Sequence, residues 1–394
     1  MSQILNQQMY ELGAQRSVIR EIFEYGKKRK ALVGEENVFD FSLGNPNVLP
    51  PKEINKSIIK SLDISSIHGY TSAQGNLDVR ESVAKYLTEK LLLENINPST
   101  IYMTGGAAAA LAISLKAIIN PGDEVIIFAP FFPEYKVFIE NAGGKVKIAH
   151  YDVENNWIDF DELEKLITKD TKAIIVNSPN NPSGLIIDEK NLKKLSKLLI
   201  KKNEEFNSII FLISDEPYRE IILENEIELP LPYAYYENTI IVYSYSKSFS
   251  LPGSRIGYIA ISSNSPKGLY EAIAGAGRSL GNVCASSLFQ VVIKENIYTK
   301  PNIEEYRENF NILFNGLKDI GFSMVKPQGS FYLLIKAPNG DANDFYKKCA
   351  EEDILLVPCD SFGLPGYVRV AFCVSKQTIT NSLNAFKKVL LKYN

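Results

Sequence analysis

Ala173-Ile174-Ile175-Val176-Asn177 runs directly into Ser178-Pro179-Asn180-Asn181-Pro182-Ser183-Gly184, and further along the chain Ile209-Ile210-Phe211-Leu212-Ile213-Ser214 runs into Asp215-Glu216-Pro217-Tyr218. A continuous apolar run of Val, Ile and Phe, with no polar alternation, is the pattern of a strand covered on both faces. Between the two runs, residues 190–205 are rich in Lys, Glu and Asn, with apolar residues at the spacing of a solvated amphipathic helix. Strand, helix, strand in that order is the unit of a parallel sheet. Further β-rich runs lie at 100–104, 124–128, 145–149, 239–244 and 256–261, with helix-like segments between them. The middle of the chain therefore predicts an α/β domain, a mostly parallel central sheet flanked by helices.

The pattern changes after about Ser287. A long helical stretch (286–317) leads to strand candidates at 321–326, 331–335 and 367–372 and to a final helix near 376–392. The economical division is a large α/β domain over 46–286 and a smaller α+β domain made of 1–45 and 287–394. The first 45 residues contain a helix-like segment, 17–28, and have no core of their own. They are expected to pack on the smaller domain or on a partner subunit.

With 394 residues, 45% of them hydrophobic, the chain can bury a sizeable core. A net charge of -3 gives no electrostatic reason to expect nucleic acid or an anionic membrane as partner. The start, MSQILNQQMY, lacks the basic and apolar parts of a secretory signal, and no apolar stretch is long enough to span a bilayer. A cytoplasmic protein is expected. The four cysteines contain no C-x-x-C pair, which reads as reduced structural thiols, with no metal site. Neither His68 nor His150 sits in a catalytic motif, and both read as surface or packing residues.

Ligands of an open α/β sheet bind at the carboxyl ends of its strands. Three such ends carry Asn181, Asp215 and, after the run 239–244, Tyr245-Ser246-Lys247. Each has an ordinary structural reading as well: Asn-Pro marks a turn, an Asp after a strand caps a helix, and most lysines are solvated. Lys247 stands apart because it follows an apolar strand and precedes Phe249, where an amine is partly desolvated and nucleophilic towards carbonyls. Thr104-Gly105-Gly106-Ala107 is a strand exit, two glycines and the start of a helix. The free N–H groups there suit a phosphate, although a plain tight turn has the same sequence. No P-loop or G-x-G-x-x-G pattern is present. Ser244 and Arg255 could supply charge-assisted bonds to the same phosphate. Arg369, in the middle of the apolar Tyr367-Val368-Arg369-Val370-Ala371-Phe372, needs a partner: a substrate carboxylate or an internal acid, which the sequence leaves open.

Taken together, these motifs resemble the class I/II aminotransferases of fold type I, which depend on pyridoxal 5'-phosphate (PLP). The resemblance covers nearly the whole chain and keeps the family's motif order. Its most specific part is Ser244-Tyr245-Ser246-Lys247-Ser248-Phe249-Ser250-Leu251-Pro252-Gly253-Ser254-Arg255-Ile256-Gly257-Tyr258. Asn181-Pro182-Ser183-Gly184, Asp215-Glu216-Pro217-Tyr218, Tyr70 with Gly75 and Arg80, and Arg369 complete it.

The resemblance implies a set of roles. Lys247 is the Schiff-base lysine and proton shuttle, Asp215 the partner of the pyridinium nitrogen, and Asn181 and Tyr218 the hydrogen-bond partners of the phenolic oxygen. Phe132 stacks on the ring. Gly105, Gly106 and Ala107, with Ser244 and Arg255, hold the phosphate. Tyr70 reaches the phosphate of the neighbouring subunit, so a homodimer with shared active sites is expected. Arg369 clamps the substrate carboxylate, and the backbone at Gly44 belongs to a loop over the substrate, which Asn181 also lines. The implied reaction is ping-pong transfer of an amino group from an L-amino acid to a 2-oxo acid. A carbon–sulfur β-lyase on the same scaffold is the alternative, and a non-enzymatic PLP-binding regulator a more distant one.

Two features depart from the commonest pattern. Leu251-Pro252-Gly253-Ser254 stands where Met-Thr-Gly-Trp is frequent. Arg278, in Gly277-Arg278-Ser279-Leu280-Gly281-Asn282, is one residue out of register with the arginine that binds a distal carboxylate in aspartate-specific enzymes. Acidic, aromatic and broad substrate ranges all remain open.

Overall fold

The computed structural model describes residues 4–14 and 18–393. The chain divides into two compact units. The larger comprises Pro46–Glu305 and Pro327–Ser330. The smaller comprises Tyr306–Lys326, Phe331–Asn394 and the segment up to Asn45, as far as these are described.

Eight strands form the sheet of the larger unit: β1 (Ile101–Thr104), β2 (Glu124–Ala129), β3 (Lys145–Asp152), β4 (Trp157–Ile158), β5 (Thr171–Asn177), β6 (Phe211–Asp215), β7 (Thr239–Ser244) and β8 (Gly257–Ala260). Their order is β1-β8-β7-β6-β5-β2-β3-β4. From β7 to β3 every pairing is parallel. Strand β8 runs antiparallel to both neighbours, and β4 antiparallel to β3. The expected mostly parallel α/β sheet is therefore present, with all the apolar runs of the sequence as its strands.

Successive strand residues point to opposite faces, and the core divides accordingly. Ile213, Ile240, Val242 and Ile259 pack in one cluster with Leu111, Ile113 and Ile273. Ile241, Tyr243, Tyr258 and Ala260 pack on the other face with Ile54, Val79 and Val292. Every residue of β1, β6, β7 and β8 is buried. A strand buried on both faces has no solvent side for polar residues to occupy, which is why the runs read as continuous. Helices α1 (Ala107–Ile118), α2 (Glu134–Ala142), α3 (Glu189–Phe206), α4 (Tyr245–Ser248) and α5 (Leu269–Ser279) belong to the same unit. The α3 helix is the expected amphipathic one, capped by Asp188 through its bond from Asn191 N–H.

In the smaller unit, β9 (Met324–Val325), β10 (Tyr332–Lys336), β11 (Val357–Pro358) and β12 (Tyr367–Ala371) form an antiparallel sheet in the order β9-β10-β12-β11. Phe39–Asp40 pairs in parallel with Ile354–Leu355. The helix expected over 17–28 is found at Val18–Val33, and Ser17 itself lies outside the described residues. This helix is tied to its own unit by the Arg29–Asp353 ion pair at 2.5 Å and by Lys30–Asp40 at 3.3 Å.

One expectation is corrected. The stretch 286–317 is two helices, Ser287–Asn296 and Glu304–Ile320. Pro301 lacks an N–H and forces the residue before it out of the helical region, so the chain breaks there. The first of these helices buries Val292 and Ile293 against Ile54 and Val79. It belongs to the larger unit, and the boundary expected at 286/287 lies after Glu305.

Candidate active site

Alternation along the strands decides what reaches the first sheet face. Thr104 shares the side of Tyr102, Asn177 that of Ile175, Asp215 that of Ile213 and Ser244 that of Val242, and these reference residues all belong to one cluster. Asn177 lies directly beside Asp215, and both Thr104 and Ser244 lie beside Gly257. Polar residues from four strand ends are thus delivered to the same face.

Asp215 is 4% exposed. Its Oδ2 accepts a 2.5 Å hydrogen bond from the Tyr135 hydroxyl, while Oδ1 has no hydrogen-bond partner among the described residues. Burial lifts its carboxyl to about 7, the Tyr135 bond opposes this, and the neighbouring Glu216 charge adds to it. Asn177 fixes the surroundings, donating Nδ2 to Asp215 O at 2.8 Å and accepting the Asn181 N–H at Oδ1 at 2.7 Å. The Asn181 loop is therefore pinned to the end of β6. Tyr218 is buried in the turn that follows. Phe132 meets Tyr135 edge to face, centroids 5.7 Å apart.

A second cluster is built around the start of α1. Gly106 caps this helix with φ 95, a conformation that a side chain rarely adopts. A Cβ built on it would stand 2.8 Å from Arg255 Nη2, so the absent side chain leaves room for the guanidinium over the helix start. Gly257 has the matching property: a Cβ there would meet Tyr243 O at 2.3 Å and Gly106 Cα at 2.9 Å. The glycine of the Arg-x-Gly-Tyr motif thus permits β8 to pass under the Gly105-Gly106 loop. Arg255 is held in the left-handed region, φ 51, and donates Nη1 to Pro252 O at 3.0 Å. Ser244 caps α4 by accepting the Ser246 N–H at 3.2 Å and donates to the Ser246 hydroxyl at 2.7 Å. Lys247, half-buried, is the third residue of that helix.

These residues fit PLP. An anion would find the α1 N–H groups, Ser244 and Arg255 as donors, and a protonated ring nitrogen would find the open oxygen of a buried carboxylate.

In the smaller unit, Arg369 is 2% exposed. Its guanidinium lies over the rings of Tyr332 (4.6 Å) and Phe362 (5.2 Å), and Nη2 donates to Ser42 O at 2.6 Å. Gly44 packs so closely on Tyr332 that a Cβ would meet its hydroxyl at 1.8 Å.

Of the remaining sequence candidates, Tyr70 is 91% exposed. Arg80 holds its own loop, donating to Gly75 O at 3.0 Å and Pro98 O at 2.6 Å. Arg278 is exposed at the end of α5. His150 pairs on the surface with Glu162 at 2.8 Å. Sequence reasoning missed Tyr135, Asn177, Ser246 and Gly257. Ser246 and Gly257 stood inside a quoted motif and Asn177 at a strand end. Nothing in the sequence pairs Tyr135 with a residue eighty positions away.

The chain matches the family model for aminotransferase class I and II over residues 36–386. It is 28% identical to the aspartate aminotransferase of Thermotoga maritima over 94% of this chain and 97% of that protein. With the probable aspartate aminotransferase of Methanocaldococcus jannaschii it shares 31% identity over 95% and 96%. The solved structure of an amino transferase from Eubacterium rectale superposes with a TM-score of 0.96 at 47% identity, covering 99% of each chain. The chain belongs to the class I and II aminotransferases, PLP-dependent enzymes of fold type I.

Proposed function

We propose that this aminotransferase binds PLP at the face where Asp215, Lys247 and the Gly106–Arg255 cradle lie, and transfers an amino group from an L-amino acid to a 2-oxo acid by a ping-pong mechanism. The observation that carries the reading is the buried Asp215 carboxyl, with one oxygen held by Tyr135 and the other open among the described residues.

When bound, PLP supplies an electron sink for negative charge at the substrate α-carbon. Asp215 keeps the proton on the ring nitrogen, because a carboxylate in a dry site is strongly stabilised by an adjacent cation. The open oxygen would be the one available to that cation, while Tyr135 holds the other in place. The Lys247 amine would hold the cofactor and would take up and return the proton of the substrate α-carbon. Tyr218 and Asn181 bond the phenolic oxygen, and Asn181 is held for this by Asn177. The N–H groups of Gly105, Gly106 and Ala107 bind the phosphate with Ser244 and Arg255, and Phe132 covers the ring. Arg369 takes the substrate carboxylate, its fork oriented by Tyr332, Phe362 and the Ser42 carbonyl. The loop at Gly44 closes over the substrate. Tyr70, exposed in the single chain, serves the site of a second subunit in a homodimer. The donor leaves as a 2-oxo acid before the acceptor enters.

Two of the relatives named above carry aspartate in their names, while other relatives carry names for quite different amino compounds, including N-acetyl-LL-diaminopimelate. The substrate proposed is therefore the class of α-amino acids. The test is Lys247→Ala with borohydride reduction and peptide mapping. The wild type is expected to carry a reducible cofactor adduct at Lys247, and the variant none. An adduct at another lysine overturns the assignment. Continued release of 2-oxo acid without any acceptor, beyond a single equivalent per cofactor, overturns the transfer.

A further inference from the structure

The second sheet face, behind Asp215 and Lys247, contains an ionic network that the reaction above does not use. Arg219 is 5% exposed and Glu216 1%. Arg219 donates Nη1 to Glu216 Oε2 at 2.9 Å, Nη2 to the Tyr258 hydroxyl at 3.0 Å and Nε to Glu220 Oε1 at 3.3 Å. Its guanidinium lies 4.1 Å from the centre of the Tyr243 ring. Ser214 donates to Glu216 Oε1 at 2.7 Å. The Tyr243 hydroxyl donates to Glu220 Oε2 at 2.7 Å and meets the Ser248 hydroxyl at 2.9 Å. Tyr245 stands edge-on to Tyr243, centroids 5.0 Å apart, and completes the surroundings.

Buried ions are a poor way to gain stability, since each loses several kcal/mol of hydration and apolar residues of similar size often do as well. A fully bonded network instead fixes where its members stand. This one joins two particular turns. Arg219 is the chain neighbour of Tyr218, and Ser248 the chain neighbour of Lys247. Hydrogen bonds run without a break from Arg219 through Glu220 and Tyr243 to Ser248. The two strands involved, β6 and β7, are adjacent, but their pairing ends at Asp215 with Val242. The last backbone bond between them among the described residues, from Glu216 N–H to Val242 O at 2.9 Å, reaches the strand and not the Lys247 turn, and the network spans the remaining distance.

We propose that the Arg219–Glu220–Tyr243–Ser248 network is a positioning device that sets the turn bearing Lys247 against the turn bearing Asp215 and Tyr218. The proposal rests on the reading of Lys247 as the cofactor lysine. Tyr218 and Asp215 act on the cofactor from one turn and Lys247 from the other. A small displacement between the turns therefore changes the proton affinity at the lysine linkage and the alignment for proton transfer.

The test uses the holoenzyme. Visible absorbance is titrated against pH for the wild type, Tyr243→Phe, Ser248→Ala and the double variant. Ile241→Val serves as a packing control in the same strand, outside the network. Tyr243→Phe keeps the ring, so the contact with Arg219 persists while the link to Ser248 is cut. The absorbance midpoint is expected to move by about half a pH unit or more, as loss of one hydrogen bond of ~1 kcal/mol implies. The kcat value should fall on the order of tenfold with KM little changed. The double variant should match the single ones, because either substitution breaks the same connection. Ile241→Val should leave the midpoint at the wild-type value whatever its effect on Tm. A wild-type midpoint in Tyr243→Phe, or shifts that add in the double variant, overturns the proposal. If Tyr243→Phe does not yield folded holoenzyme, Ser248→Ala alone decides the matter by the same criterion. Borohydride mapping of each protein separates the two failures. An adduct at Lys247 with no shift sinks the positioning role, whereas an adduct elsewhere sinks the reading of Lys247.

Discussion

Replacing Tyr135 by Phe removes one oxygen atom from the candidate site and leaves the ring, edge-on to Phe132, in place. The hydroxyl it removes donates a 2.5 Å bond to Asp215 Oδ2. Asp215 titrates at about 7 because burial outweighs that bond. A hydrogen bond to a charged group contributes ~1.5–3 kcal/mol. At 1.36 kcal/mol per unit, its loss lifts the carboxyl by roughly one to two units, to roughly 8–9. The folded carboxyl holds its proton more tightly than the unfolded one, whose ordinary value is 3.8. Between those two values the unfolded chain binds fewer protons, so the stability of the cofactor-free protein falls as pH rises, and it levels off above the folded value. In the wild type this fall ends near pH 7. In Tyr135→Phe it should continue to roughly pH 9, a further loss of roughly 1.5–3 kcal/mol relative to wild type. Urea unfolding of the cofactor-free protein between about pH 6 and 9 measures this, with Asp215→Asn as the background that removes the titrating group. Parallel wild-type and Tyr135→Phe curves above pH 7, or a divergence that persists in Asp215→Asn, would refute the reasoning.

Gly106→Ala places a Cβ against the Arg255 guanidinium at a φ of 95. It should weaken PLP binding at least about tenfold by fluorescence titration, given strain of ~1–2 kcal/mol at such a residue, and unchanged affinity would remove the cradle from the site. Arg369→Lys keeps the charge and loses the fork held between Tyr332 and Phe362. KM for the amino donor should rise roughly 10- to 100-fold, the equivalent of one charge-assisted bond, and steady-state kinetics in which KM stays put would count against a carboxylate clamp. Tyr70→Phe changes a side chain that is 91% exposed. Unfolding stability should stay within about 0.5 kcal/mol while PLP affinity falls, and an unaffected affinity would mean that no second subunit uses this hydroxyl.

How much of this was legible in the sequence depended on distance along the chain. The runs 173–177, 209–214 and 239–244 announced buried parallel strands, and their exits carried Asn181, Asp215 and Lys247 in view. Each of those signals is local, written within a few residues of the group it places. Tyr135 is not local. It sits in the first turn of α2, and only the tertiary placement of that helix brings its hydroxyl to Asp215. Asn177 was visible as a strand end, yet its two hydrogen bonds, which tie the Asn181 loop to β6, follow from sheet register. The helical stretch after Ser286 misled for the opposite reason. Its apolar spacing continued on both sides of Pro301, and periodicity alone does not say which core a helix joins. The two-residue strands Phe39–Asp40 and Ile354–Leu355 are too short to show any period.

The same geometry explains why the site has a reverse side. A strand cannot present one residue to a ligand without presenting its neighbour to the opposite face. Asp215 leaves Ser214 on the far face, where it bonds Glu216, and Val242 leaves Tyr243 there. The turns continue the division, with Tyr218 beside Arg219 and Lys247 beside Ser248. A cofactor that must be met by groups from two strand ends therefore obliges the neighbours of those groups to meet each other. Apolar neighbours would satisfy the core and leave the spacing of the turns to packing alone, which tolerates sliding more readily than directional bonds do. The charged and hydroxylated set at 216, 219, 220, 243 and 248 fixes that spacing through bonds whose lengths allow little variation. On this argument, the reverse face should be far more sensitive to removal of a hydroxyl than to removal of a methyl group from the same cluster. That is the comparison Tyr243→Phe makes with Ile241→Val.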